Sequence, residues 1–158
     1  MKCARGLDGK GIVGFFRRDV AMNQSAKTIL CVDDEVGVVA ALRRMLKPLS
    51  YRILTAKNGE EALLIVETTR PDLIILDVHM PKMSGYEVLK ALKKKGFGEV
   101  PVVMLTGENS DEGVLKGYNE GCIYYITKPC KREYIFNIIE FLIGDPSPER
   151  KEWLEKHL

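Results

Sequence analysis

The chain of 158 residues is 46% hydrophobic and 29% charged, which suits one globular domain burying roughly 70% of its unfolded surface and excludes a disordered chain or two large domains. No run approaches the ~20 apolar residues of a membrane span, and Gly9, Lys10, Gly11 and Gly14 break up any signal-peptide core, so a cytoplasmic protein is expected. The net charge of +2 comes from residues 1–24, which hold five of the 24 Lys and Arg but two of the 22 Asp and Glu; the remaining 19 against 20 offer no basic face for phosphates, and no nucleic-acid partner is expected.

Residues 1–25 are glycine-rich and lack a period, so they read as a basic, mobile leader or a short added element outside the fold, with Met22 as an alternative start of translation. From Lys27 onward, short β-branched apolar runs alternate with segments of helical period, the pattern of βαβ units around a parallel sheet. The first predicted strand is Thr28 to Val32, ending at Asp33-Asp34, and its helix carries Val38, Leu42, Met45 and Leu46 before Pro48. A second strand, Tyr51 to Ala56, leads through Asn58, a plausible cap, into a helix with Ala62, Leu63, Ile65 and Val66. The third, Leu73 to Leu76, is continuously apolar, as a strand covered on both faces should be, and delivers Asp77 at its carboxyl end.

Ser84 can then cap a helix with Val88, Leu89 and Leu92 facing inward, stopping at Gly96. The run Lys93-Lys94-Lys95 reads as a solvated helix end that complements the helix dipole. The fourth strand is Val100 to Leu105, followed by Thr106, and the next helix, from about Ser110 to Glu120, is weakened by Gly113 and Gly117 at roughly 1 kcal/mol each. The fifth strand, Cys122 to Ile126, ends at Lys128-Pro129, and the fifth helix runs from about Arg132 to Ile143. In the tail, 144–158, Ser147 can cap a short final helix, with Trp153 expected as its packing anchor. Cys3, Cys31, Cys122 and Cys130 form no Cys-x-x-Cys pair and lie apart from both histidines, which argues against zinc and for reduced bystander thiols.

Open parallel sheets bind ligands beyond the carboxyl ends of their strands. The unusual polar groups stand there: Asp33 and Asp34 after strand one, Asp77 after strand three, Thr106 after strand four, Lys128 after strand five. Three crowded carboxylates raise one another's pKa unless a divalent cation neutralises them, and an all-oxygen donor set selects Mg²⁺. A metal, a carboxylate, a hydroxyl and an ammonium together suit phosphoryl transfer, with Asp77 the acceptor and Thr106 and Lys128 stabilising the phosphoryl group. Taken singly, strand-end aspartates cap helices and a Lys-Pro pair is turn chemistry; the ordered combination carries the reading.

The segments Val32-Asp33-Asp34-Glu35, Leu76-Asp77-Val78-His79-Met80-Pro81, Ser84-Gly85, Leu105-Thr106-Gly107 and Thr127-Lys128-Pro129 resemble the receiver domain of bacterial two-component response regulators. The resemblance covers Lys27 to about Ile143 and places a receiver at 26–143. It implies a flavodoxin-like α/β fold, a doubly wound five-stranded parallel sheet of order 2-1-3-4-5 with five helices. It also implies Mg²⁺ held by Asp34, Asp77 and the backbone carbonyl of His79, with Asp33 assisting. Asp77 would take a phosphoryl group from a phosphohistidine on a sensor histidine kinase or histidine phosphotransfer protein. Thr106 would move toward that group and Tyr125 turn inward, reshaping a face of helix four, strand five and helix five that partners read.

His79 and Glu108, two residues beyond Asp77 and Thr106, occupy places where the family tunes dephosphorylation; His79 is equally readable as a plain loop residue. Tyr125 is read as the switch aromatic and Tyr124 as facing the other way. Pro81, Gly85 and Pro129 are read as shaping loops, and the resemblance implies a cis Lys128-Pro129 peptide. The chain departs from the family in Gly121-Cys122-Ile123-Tyr124-Tyr125, where small and acidic residues commonly precede the aromatic, and the less polar surface suits a protein partner, a second copy or another chain. The expected protein is a stand-alone receiver catalysing only its own phosphorylation and dephosphorylation, either a shuttle between histidine proteins or a messenger. Rival readings are a small aspartyl-phosphate phosphatase-like enzyme, disfavoured because His79 stands where a second acid is wanted, and an unphosphorylated scaffold receiver. A flavin site is disfavoured because Asp33-Asp34-Glu35 would repel phosphate.

Overall fold

Five short strands form one parallel sheet of order β2-β1-β3-β4-β5: β1 (Thr28–Val32), β2 (Arg52–Ala56), β3 (Leu73–Asp77), β4 (Val102–Thr106) and β5 (Tyr124–Thr127). The computed structural model describes residues 26–107 and 111–158. The expected leader, Cys3 and the tuning position Glu108 lie outside the described residues. Between the strands run α1 (Val36–Leu46), α2 (Gly59–Thr69), α3 (Gly85–Lys94) and α4 (Asp111–Glu120), followed by α5 (Arg132–Ile143) and a sixth helix, α6 (Pro148–His157). This is the doubly wound flavodoxin-like arrangement that the resemblance implies, with the tail helix as a sixth. No helix among the described residues is long and apolar enough to cross a membrane.

The continuous apolarity of the central strands follows from cover on both faces. Leu30, Val32, Ile74, Leu76, Val102 and Met104 face a core completed by α2 and α3. Ile29, Cys31, Leu73, Ile75, Val103 and Leu105, one residue out of phase, face a second core built with α1 and α5. Each fully buried side chain of this size contributes roughly 1.5–3 kcal/mol. Burial also pushes the Cys31 thiol up to about 12 and the Cys122 thiol to about 11, so both are protonated, inert filling.

Three helix starts are capped by side chains. Asn58 accepts from the Glu61 amide at 2.8 Å. Ser84 and Glu87 form a reciprocal capping box, and Ser147 accepts from the Arg150 amide with Pro148 in the first turn. Left-handed glycines end two helices, and the second explains a boundary difference. At α3, Gly96 is left-handed (φ 82), and the Phe97 and Gly96 amides bond back to Leu92 and Lys93. At α4, Gly121 (φ 98) and Cys122 bond back to Tyr118 and Gly117 in the same way. Cys122 is therefore spent on closing α4, and β5 begins two residues later than its apolar run suggests. Similarly, Pro101 has no amide to give the ladder; its carbonyl accepts from Ile74 at 3.0 Å, and β4 begins at Val102.

One side-chain expectation is corrected. Trp153 is not the anchor of α6: it is 40% exposed, stacked on His157 and covered by Arg150, whereas Leu154 is fully buried. Arg150 pins the helix by bonding Glu140 and Asn137 of α5. The lysine run is a solvated end of α3, as expected, from which Lys93 reaches the Asn119 carbonyl near the end of α4 at 3.4 Å and Lys95 pairs with Glu67 of α2 at 2.6 Å.

Candidate functional site

The sheet reverses its winding between β1 and β3, where ligand crevices open in such folds. Val32 pairs with Leu76 there, so Asp33 and Asp77, each the next residue along, emerge side by side. Asp77 in turn pairs with Leu105, which sets Thr106 one position further, and Thr106 pairs with Thr127, which delivers Lys128. Register alone thus gathers the polar strand ends.

Asp33 and Asp77 are 1% and 4% exposed, Asp34 is open to solvent, and Thr106 is fully buried. The Lys128 ammonium donates to Asp33 Oδ2 at 2.6 Å and to Asp77 Oδ1 at 2.7 Å. The remaining carboxylate oxygens are held by backbone: the Glu35 amide donates to Asp33 Oδ1 at 2.9 Å and the His79 amide to Asp77 Oδ2 at 3.0 Å. The loop beyond Asp77 is tied to β4 by the Val78 amide on the Leu105 carbonyl, and the Lys128 amide bonds the Thr106 carbonyl at 2.6 Å, just before a cis Lys128-Pro129 peptide.

Burial raises the Asp77 pKa above the ordinary carboxylate value; the Lys128 hydrogen bond opposes this, while the Asp33 charge adds to it. Burial works against the Lys128 ammonium, but the hydrogen bonds and charges of Asp33 and Asp77 outweigh it and raise its pKa. One ammonium facing three carboxylates leaves negative charge uncompensated. Asp33, Asp34 and Asp77 each present an oxygen within 4.8 Å of the others. An all-carboxylate set, two of its members buried, fits a hard divalent cation and no soft metal. The imidazole of His79 is not in that set, and the residue is exposed.

Tyr125 is half-buried on the core side that faces α2 and α3, and Tyr124 packs on the opposite core, as strand alternation requires. Tyr125 lies apart from the acid cluster, with its hydroxyl 3.1 Å from that of Tyr86. Two residues near the acid pocket carry more than the sequence reading assigned them. Gly85 does not merely shape a loop: a Cβ there would collide with the Asp77 carbonyl oxygen and stand 3.1 Å from Val78 Cα, so only glycine lets α3 close on the Asp77 backbone. Glu35 contributes its amide rather than its carboxylate. In the sequence, the Ser-Gly pair opening a helix was the available signal for the first; nothing marks the second.

The fold and these strand ends define a receiver. A family model, the response regulator receiver domain, matches residues 29–140. The chain belongs to that family, whose members work with histidine kinases in two-component signalling and bind Mg²⁺ through an acidic pocket. Among curated proteins it is 43% identical over 103 residues to the alkaline phosphatase synthesis transcriptional regulatory protein PhoP of Bacillus subtilis, covering 65% of this chain and 42% of that one. It is 41% identical over 103 residues to the transcriptional regulatory protein YvrH of the same species, covering 65% and 43%. The chain thus spans less than half the length of these regulators. Among solved structures, chemotaxis protein CheY4 of Vibrio cholerae superimposes with a TM-score of 0.70 at 31% identity, covering 75% of this chain and all of that one.

Proposed function

We propose that Asp77 accepts a phosphoryl group from a phosphohistidine of a sensor kinase or phosphotransfer protein, and that the chain acts as a phosphorylation-controlled switch. The observation that carries this is the Lys128 ammonium held between two buried carboxylates at the sheet's switch point, 2.7 Å from Asp77. An Asp77 carboxylate oxygen forms the new O–P bond as the P–N bond of the donor breaks. The leaving imidazole keeps the electron pair and takes a proton from solvent. In this reading Lys128 follows the charge from the carboxylate to the phosphoryl oxygens, and the Thr106 hydroxyl donates to one of them. The His79 and Glu35 amides hold the carboxylates in place throughout.

Mg²⁺ would be held by Asp34 and Asp77 with the His79 carbonyl, assisted by Asp33, and would neutralise charge on the transferring group. Water attack on the aspartyl phosphate returns the carboxylate and inorganic phosphate, with His79 and Glu108 setting its speed. The chain is in this reading no enzyme toward a separate substrate. Tyr125 and Thr106 form the switch, and the readout is the face of α4, β5 and α5. Leu115 at 63% exposure, with Tyr118 and Ile123 also open, gives that face the apolar surface a protein partner or second copy would cover. In this reading the chain works in the cytoplasm.

Intact-protein mass after incubation with acetyl phosphate tests the reading. A gain of one phosphoryl group that needs Mg²⁺ and vanishes in Asp77→Asn is expected. A gain that persists in Asp77→Asn, or none with either acetyl phosphate or a phosphohistidine donor, would overturn it. Retention of a target in only one phosphorylation state would mark a messenger rather than a shuttle.

A further inference from the structure

The first turn of α3 is located twice over, by the Ser84–Glu87 capping box and by the close approach of Gly85 to the Asp77 backbone. The next residue, Tyr86, is therefore set by the same turn that abuts Asp77. Its hydroxyl donates to the Gly113 carbonyl on α4 at 2.9 Å and stands 3.1 Å from the Tyr125 hydroxyl on β5. A carbonyl only accepts, so the single Tyr86 proton is committed to Gly113, and Tyr125 must be the donor in the second bond. The chain of donation runs Tyr125 to Tyr86 to Gly113.

The Tyr125 ring also has a seat on α4. A Cβ at Gly117 would lie 3.0 and 3.2 Å from ring carbons Cδ2 and Cε2 of Tyr125, so the ring rests on the helix backbone where no side chain intervenes. Tyr86 is held from the α4 side as well, with the Lys116 ammonium 4.5 Å from its ring centroid. Three elements that must move together if Tyr125 is a switch are joined at one oxygen.

We propose that Tyr86 is a positioning residue for the switch: its hydroxyl holds Tyr125 inward and locks that position to the first half of α4, in the same turn that packs against Asp77. This rests on the receiver reading for what the switch serves, while the geometry is independent of it. The consequence is that Tyr125 is inward before any phosphoryl group arrives, and Tyr86 sets how firmly.

Fluorotyrosine placed at position 125 alone, followed by ¹⁹F NMR of the unphosphorylated full chain, reads the ring position directly. One dominant resonance is expected, and Tyr86→Phe should raise the population of a second by about fivefold, the loss of one hydrogen bond. Hydrogen exchange of α4 amides supplies a cycle with Tyr125→Phe. Tyr86→Phe should speed exchange more than Tyr125→Phe because it removes both bonds, and the double variant should match Tyr86→Phe alone. An unchanged fluorine spectrum, additive effects, or the reverse order of the single variants would overturn the proposal. Intact mass with acetyl phosphate and Mg²⁺ separates the two levels: Tyr86→Phe should still take one phosphoryl group. Loss in Tyr86→Phe alone would place the residue in the acid pocket and overturn the proposal. If wild type itself takes none from acetyl phosphate or a phosphohistidine donor, the receiver reading falls while the spectrum still decides the role of Tyr86.

Discussion

Asp33, Asp77 and Lys128 stand on strand ends whose positions are fixed by ladder register, and both buried carboxylates are held by an amide on one oxygen and the ammonium on the other. Helix α4 is secured differently: glycines at 113 and 117, an exposed Leu115, the Tyr125 ring seated at Gly117, the Lys116 ammonium over the Tyr86 ring, and polar contacts from Tyr86 and Lys93 of α3. The acid pocket is rigid at an electrostatic cost, with carboxylates in excess of cations. The α4 region is held by a few contacts of neutral or singly charged groups. The proposed switch needs that contrast, since a charge change in a stiff pocket moves something only where the neighbouring packing is weaker.

The sharpest way to break the contrast is to unbalance the pocket. Lys128→Met leaves Asp33 and Asp77 buried without a cation, and urea unfolding in a chelator should show a loss of about 3 kcal/mol, the low end for a buried pair because the ammonium keeps some water. Mg²⁺ should restore part of it. An unchanged unfolding midpoint would show that the pocket is far more hydrated than its burial indicates.

Gly85→Ala ranks next. The new methyl meets a backbone oxygen, which cannot rotate away, so about 2 kcal/mol of overpacking is expected. Displacement of Asp77 should also slow phosphoryl acceptance from acetyl phosphate by about 100-fold. A variant that is destabilised yet accepts at the wild-type rate would separate the α3 contact from the chemistry.

Asp77→Asn removes one of the crowded charges yet keeps an oxygen for Lys128, so in a chelator it should be more stable than wild type at neutral pH. The advantage depends on pH with a definite sign. Because the native Asp77 pKa is raised, the folded protein binds that proton more tightly than the unfolded chain, and wild type recovers stability as pH falls through the native value toward the ordinary carboxylate range. The difference between the two proteins should therefore shrink on acidification. A difference that widens would mean that Lys128 outweighs burial and Asp33 together.

Most of the fold and the convergence of the acid residues were legible because in a parallel sheet both are one-dimensional. An apolar run followed by a charge places that charge at a strand end, and strand order then brings Asp33, Asp77 and Lys128 together without reference to any side-chain detail. The features that were not legible depend on packing across the chain. Tyr86 meets Tyr125 only because Gly85 docks on Asp77, and no local pattern announces that approach. Cys122 looked like strand because it is apolar, but the left-handed Gly121 claims its amide for the end of α4. Trp153 and Leu154 are adjacent and both apolar, and only the direction in which α6 lies on α5 decides which is buried.

The smallest effect concerns two lysines of one run that differ only in what they reach. Lys95 and Glu67 form an exposed pair, and Lys95→Met should cost no more than a few tenths of a kcal/mol and nothing at high salt. Lys93 extends over the end of α4 toward Asn119, where a cation meets the negative end of the helix dipole. Lys93→Met should cost about 0.5 kcal/mol globally, but its effect should be concentrated in the last turn of α4, where amide exchange accelerates while α3 stays protected. If both variants leave α4 exchange unaltered, its carboxyl end is held by the Gly121 closure rather than by Lys93, which leaves Tyr86 as the polar tie from α3 to α4.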